Sequence, residues 1–178
     1  KRDGNYLLQY ADIDASGFEE VTISKTANVN FNYISLTTGS SATVEPESAK
    51  WDLVFSISSN ITSFGSGLGA YGFSDFVKTN KVGGVKVAKI TLETDEEGNI
   101  LEGQTEYDDF SASDLADLTF SDAANTIGSS WRSVFTGHFK NIYYVVEDSE
   151  GNQYKLQFLG LLNELGERGN SSFKYELL

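Results

Sequence analysis

His138 is the only histidine of the chain, and neither cysteine nor methionine is present. A lone imidazole can serve as a general base, or ligate a metal through one ring nitrogen. Cysteine-type zinc sites, thiolate catalysis and structural disulfides are excluded, as is any centre that needs two histidines within one chain. A Ser-His-Asp triad survives on inventory alone, but no serine sits in a G-x-S-x-G elbow. His138 lies in Thr136-Gly137-His138-Phe139, between Trp131 and Tyr143-Tyr144, and this setting predicts a hairpin tip or rim flanked by aromatic rings. It reads first as a surface or interstrand histidine, then as a metal ligand, and last as a catalytic base.

Other spacings carry weaker signals. Gly67-Leu68-Gly69-Ala70-Tyr71-Gly72 fits G-x-G-x-x-G, yet nothing after it reads as the helix whose amino end would hold a pyrophosphate. Asp12-Ile13-Asp14-Ala15-Ser16-Gly17 begins like a calcium loop, but Ile23 stands at the twelfth position, where a bidentate glutamate is needed. Both that segment and Asp95-Glu96-Glu97-Gly98-Asn99 are read as turns, the second with weak calcium attraction as its alternative. No nucleophile, base and orienting group can be assembled from local sequence, so the expectation is a binding protein rather than an enzyme.

Composition narrows the partner. The 178 residues carry 26 Asp and Glu against 13 Lys and Arg, a formal net charge of -13. Nucleic-acid binding rests on cationic neutralisation of phosphates and is therefore a poor expectation. The acidity is read as a source of solubility and of repulsion between copies, with cation binding as the alternative. No stretch approaches the roughly 20 apolar residues of a membrane helix. The chain begins Lys1-Arg2-Asp3-Gly4, which is the expectation for a processed or trimmed form.

The elements that would position these residues are strands. In residues 51–58, Trp51, Leu53, Phe55 and Ile57 alternate with Asp52, Val54, Ser56 and Ser58, the two-residue period of a half-buried strand. Gly65, Gly67, Gly69 and Gly72 follow as a glycine-studded turn, and then Tyr71, Phe73 and Phe76 as an aromatic cluster. Earlier strand-like runs centre on residues 21–23 and 29–36, and Pro46 falls in the loop before Trp51. Residues 82–90 pass from loop to strand. Residues 93–128 are acidic and loop-like, with Ser111 and Asp114 as cap candidates for a short helix near residues 111–118. Residues 131–139, 142–147, 154–162 and 172–177 complete the strand set. The fold class expected is all-β, mainly antiparallel, a sandwich or strongly curved sheet with at most one or two short helices. Residues 1–20 read as an acidic lead-in with Tyr6, Leu7, Leu8 and Tyr10 as anchors, and residues 21–178 as one domain.

The order of these tracts resembles the HmuY family, surface lipoproteins of Bacteroidetes that bind heme. The family's WD-initiated strand leads to a G-x-G-x-G-G-A run, which stands here as Gly65-Ser66-Gly67-Leu68-Gly69-Ala70, with Leu68 replacing one glycine. Val21-Thr22-Ile23 and Asn32-Tyr33-Ile34-Ser35-Leu36 look like its opening hairpin. Ile142-Tyr143-Tyr144-Val145-Val146, the turn Asp148-Ser149-Glu150-Gly151-Asn152, and Tyr154-Lys155-Leu156-Gln157-Phe158 are similar to its carboxy-terminal hairpin, with Phe173-Lys174-Tyr175 in the last strand.

The resemblance implies an HmuY-like β domain, heme as cofactor, a TonB-dependent outer-membrane receptor as partner, and a cell-surface location on the outer membrane through a lipid anchor upstream of Lys1, or secretion. It also implies iron held by two histidines or two methionines. Those family positions fall near Gly103 or Gln104, before Glu106-Tyr107-Asp108-Asp109, and near Thr136. None of these residues is a strong iron ligand, so His138, two residues beyond Thr136, is the candidate for heme iron, with the Tyr107 phenolate as a second candidate. Tyr71, Phe135 and Phe139 are the ring candidates for macrocycle contact, with Phe64, Phe73, Phe76 and Phe110 supplying further ring surface. The alternative keeps the fold without heme, as an accessory interaction subunit of an outer-membrane complex.

Overall fold

The computed structural model describes residues 4–63 and 65–178. Phe64 and the first three residues lie outside this description. The chain divides into two compact units, residues 1–51 and 52–178.

The first unit contains two short antiparallel hairpins. Strand β1 (Tyr6–Tyr10) pairs with β2 (Glu19–Ile23), so part of the segment read as a lead-in is a strand. The turn beyond β1 is local: Asp14 accepts hydrogen bonds from the backbone N–H and the hydroxyl of Ser16, at 2.9 and 2.6 Å. Strand β3 (Tyr33–Ser35) pairs with β4 (Ser40–Ala42), a shorter element than the run at residues 29–36 suggested. A 3-10 turn at Ser48–Lys50 ends the unit.

In the second unit, β5 (Leu53–Ser63) pairs with β6 (Leu68–Thr79) as a long two-stranded ribbon. Two sequence expectations are corrected here. The glycine run is a turn only in its first part: Gly65, at φ +84°, and Gly67 lie in the bend between the strands, whereas Gly69 and Gly72 pair with Thr62 and Ser59 inside β6. The inward row of β5 also breaks: opposite Ile57 the partner strand β6 carries one extra residue, Ser74 and Asp75 lying between the pairs Ser56–Phe76 and Ser58–Phe73, and Ile57 is 81% exposed. One extra residue in a strand turns the following side chains to the opposite face, and periodicity alone cannot place it.

Strand β7 (Lys86–Thr91) comes next, followed by the 3-10 helix Ala112–Asp117, whose start is fixed by a reciprocal Ser111–Asp114 capping box. The run at residues 131–139 is not one strand. It folds into a tight hairpin of β8 (Arg132–Ser133) and β9 (Gly137–His138), with Gly137 at φ +85°, a conformation side chains with a Cβ rarely adopt. Strands β10 (Ile142–Glu147), β11 (Gln153–Leu162) and β12 (Arg168–Leu177) finish the chain, and the main sheet runs β12-β11-β10-β7, antiparallel throughout. The turn between β10 and β11 is held by Asp148, which accepts from the N–H groups of Glu150 and Asn152, while Gly151 takes φ +88°.

This sheet is covered on both faces. Ile142, Tyr144 and Val146 of β10 meet Val77, Ile127, Trp131, Leu156 and Phe158 on one side. Tyr143 and Val145 meet Ala88, Leu92, Tyr107 and Phe110 on the other. The β5–β6 ribbon contributes Leu53 and Val77 to the first cluster, while Leu115, Leu118 and Phe120 of the acidic loop region roof the second. A continuous apolar strand such as Ile142-Tyr143-Tyr144-Val145-Val146 is the sequence form of a strand buried on both sides.

Candidate functional site

The residues singled out for chemistry fall into two places separated by the main sheet. Tyr107 belongs to the second cluster. It is 6% exposed and stands edge-on to Tyr143 at 6.1 Å. Two ammonium groups attend its ring, Lys174 Nζ at 4.1 Å and Lys155 Nζ at 4.9 Å from the centroid. Burial, followed by the charges of Glu176 and Asp108, raises the phenol above its ordinary pKa, so the phenolate form is disfavoured.

Lys155 is the residue that fixes this tract, and sequence reasoning passed over it. It is 4% exposed in the middle of β11, where its ammonium donates to the carbonyls of Tyr107 at 3.1 Å and Phe110 at 2.9 Å, and pairs with Glu176 at 3.3 Å. Lys174 adds a 2.6 Å bond to Asp108. The only sequence signal was a lysine inside an otherwise aromatic and aliphatic strand. Lys155→Met should lower the free energy of unfolding by about 2 kcal/mol, since it strands buried carbonyls without a donor. Hydrogen exchange at residues 106–110 should accelerate before the rest; uniform protection across the chain would contradict this role.

Gln104, beside the position the resemblance assigned to an iron ligand, is used structurally. Its side chain accepts from Glu93 N–H at 2.7 Å and donates to Glu93 O at 2.9 Å, tying the acidic loop. Between the 106–109 tract and Lys140 and Gln157 lies a cavity of about 200 Å3. Ligand pockets run at about 300–1,000 Å3, so this one does not admit a tetrapyrrole as it stands.

His138 lies in β9 opposite Arg132 of β8, and side chains opposite one another in an antiparallel pair share a face. It is half-buried. Burial, followed by the charge of Lys140, holds its pKa below the usual imidazole value, which leaves a lone pair free for a metal at neutral pH. Phe135 is 94% exposed at the end of this hairpin, whereas Phe139 is partly buried against the first cluster with its N–H on Trp131 O at 2.9 Å. Tyr71, on β6, meets Phe73 edge-on at 4.8 Å, and the guanidinium of Arg132 lies 5.0 Å over the Phe73 ring. Tyr71, Phe73 and Arg132 are thus in successive contact, His138 stands opposite Arg132 in the ladder, and Phe135 lies in the turn of the same hairpin. Tyr107 is not among them. Among the further ring candidates, Phe76 is buried against Phe73 and Phe110 is buried against Tyr143, so both are core residues.

Beneath the hairpin is an ion pair that the sequence did not announce. Asp75 of β6 and Arg132 of β8 join through Oδ1 and Nη2, with side chains 0% and 2% exposed. Trp131 Nε1 donates to Asp75 O at 3.3 Å, and its ring stacks on Phe158 at 4.2 Å. These contacts attach the hairpin carrying His138 to the core. Among the described residues no group of three or more His, Cys, Asp or Glu side chains could hold a bare metal ion, and no helix is long and apolar enough to cross a membrane.

Two solved structures align over nearly the whole chain: apo PinO from Porphyromonas gingivitis, at 15% identity and TM-score 0.38, covering 98% of this chain and 95% of that one, and the apo HmuY analog TFO of Tannerella forsythia, at 15% identity and TM-score 0.34, covering 96% and 88%. No curated protein matches. The family described as HmuY protein matches residues 27–175, which include the β5–β6 ribbon, the Tyr107 tract, the His138 hairpin and all of the main sheet except its last residues. This chain belongs to the HmuY family.

Proposed function

We propose that the chain is a non-enzymatic, extracytoplasmic carrier that takes heme at the hairpin bearing His138, with that imidazole as the single axial ligand. It would sit on the outer membrane through a lipid anchor and pass heme to a TonB-dependent receptor. Membership of a binding and carrier family supports the coarse part of this reading. The observation that supports the finer part is His138: the only imidazole of the chain, half-buried, its pKa lowered by burial, in the same hairpin as the exposed Phe135 and opposite Arg132, whose guanidinium lies over Phe73. His138 would then supply the nitrogen ligand to iron, and the exposed Phe135 and the half-buried Tyr71 would be the rings available to the macrocycle, Phe73 being buried beneath Arg132.

Hemin added to the purified protein should give a saturable, shifted Soret band at pH 7.5. His138→Ala should weaken it by about tenfold or more, equivalent to about 1.4 kcal/mol, and Phe135→Ala by less. The band should fade as the pH drops through the lowered pKa of His138, because imidazolium offers iron no lone pair. The same group makes the protein's own stability pH-dependent. With the folded pKa depressed, the unfolded chain binds the proton more readily, so the contribution is present above the ordinary imidazole value and is lost as pH falls through the folded one. Subtracting the His138→Gln profile from the parent profile isolates this slope. A flat hemin titration would remove heme from the account.

A second reading, an interaction subunit without heme, has its own observation. The tract that should furnish the other iron ligand is cemented by Lys155 and Lys174 and supplies none. Pull-down from native membranes of a stoichiometric partner free of porphyrin absorbance would favour it, and purification as a pigmented monomer would exclude it.

A further inference from the structure

The first face of the main sheet is only partly roofed near its β12 edge. Phe173 and Tyr175 of β12 lie on the same face as their partners Phe158 and Leu156, but Phe173 is 37% and Tyr175 66% exposed, where Phe158 is 2% exposed. Phe55 of β5 stacks on Phe173 at 5.5 Å and 13°, itself 42% exposed. Tyr175 continues the row, 6.3 Å from Phe173 and 6.4 Å from Tyr154. The result is a line of four rings running from the β5–β6 ribbon to the β10–β11 turn, open to solvent along most of its length.

Carboxylates outnumber cations at the turn end of this line, where Lys86 is already paired with Glu147 at 2.8 Å. The Tyr154 phenol is raised by burial and then by Asp148, Asp52 and Glu150, and the Asp52 carboxyl by burial and then by Asp148. The lysines of β11 and β12 are directed away: Lys155 and Lys174 alternate with the rings and bond the 106–110 tract on the opposite face of the sheet. Aromatic faces attract cations through their quadrupoles, and adjacent carboxylates reinforce that attraction. A second copy of the chain would bring the same anionic face and a net charge of -13 against it, which disfavours self-association.

We infer that the line Phe55, Phe173, Tyr175 and Tyr154, with Asp52 and Asp148 at its end, is a docking surface for a partner protein through a basic segment whose Lys or Arg residues alternate with apolar ones. This surface is separate from the His138 hairpin, so the inference stands or falls without heme.

The probe is a labelled ten-residue peptide of alternating arginine and leucine, with the glutamate-leucine peptide as its opposite, titrated against the full chain by fluorescence anisotropy. The arginine peptide should bind, more weakly as salt rises. Tyr175→Ala and Asp52→Asn should each reduce the affinity by about tenfold, the range of a central aromatic or charged anchor. Glu96→Gln, which removes one charge from the turn at residues 95–99, should change it by less than about twofold. Circular dichroism of each variant separates loss of binding from loss of fold. Equal affinity of all four proteins would mean undirected attraction to net charge and would overturn the proposal. So would equal binding of the glutamate peptide, or a dimer in sedimentation that Tyr175→Ala dissolves.

Discussion

Asp75→Ala should cost about 3–5 kcal/mol of folding free energy, because it leaves the Arg132 guanidinium buried without its counter-charge. The effect is large for a protein whose whole stability is of order 5–15 kcal/mol. The converse experiment is the sharper one. Asp75 Oδ2 and Arg132 Nε already lack hydrogen-bond partners, so the intact pair recovers only part of the desolvation cost of its two ions. Asp75→Leu combined with Arg132→Met should therefore remain within about 1 kcal/mol of the parent or exceed it. Urea denaturation of the three proteins decides the matter. A double variant as unstable as Asp75→Ala would mean that the ions, rather than their mutual neutralisation, hold β6 to the hairpin.

Trp131→Ala should lower stability by about 3–5 kcal/mol, the range for deleting a large buried ring. Its side chain is fully enclosed, stacked on Phe158 at 4.2 Å and hydrogen-bonded to Asp75 O. Phe135, four residues on, is the internal control: it is 94% exposed, and Phe135→Ala should move the denaturation midpoint little. If the hemin reading is right, the two variants separate stability from binding. Trp131→Ala loses the fold that carries the hairpin, and Phe135→Ala keeps the fold while losing ring contact. Comparable destabilisation by both would contradict the burial seen here. Since Trp131 and Asp75 touch, their combined effect should fall short of the sum.

The strand inventory was legible because its physical cause is local. Alternation in β5, the uninterrupted apolar run of β10 and the Asp-x-x-Gly-Asn turn at residues 148–152 each follow from side-chain periodicity or from a backbone demand that few residues meet. The Ser111–Asp114 cap was legible for the same reason. The hairpin at residues 132–138 was legible only in part: the setting of His138 indicated a hairpin tip, while the run as a whole read as one strand. An aromatic-rich run reads equally as a strand, and only the left-handed Gly137 divides it. The bulge at Ser74–Asp75 of β6, opposite Ile57, was hidden too, since the sequence gives no sign of where a ladder slips by one residue.

By itself the sequence determined the class of fold and the inventory of chemistry: all-β, one imidazole, no thiol or thioether, and a net charge of -13. Composition and short-range pattern suffice for such statements. Which rings meet, which charges are buried and which candidates share a face came only from tertiary structure. The main sheet sets Tyr107 apart from Tyr71 and the His138 hairpin, and it draws Asp75, Arg132 and Lys155 out of water. Those outcomes depend on contacts between residues 45 to 57 positions apart, and no local window of sequence contains them.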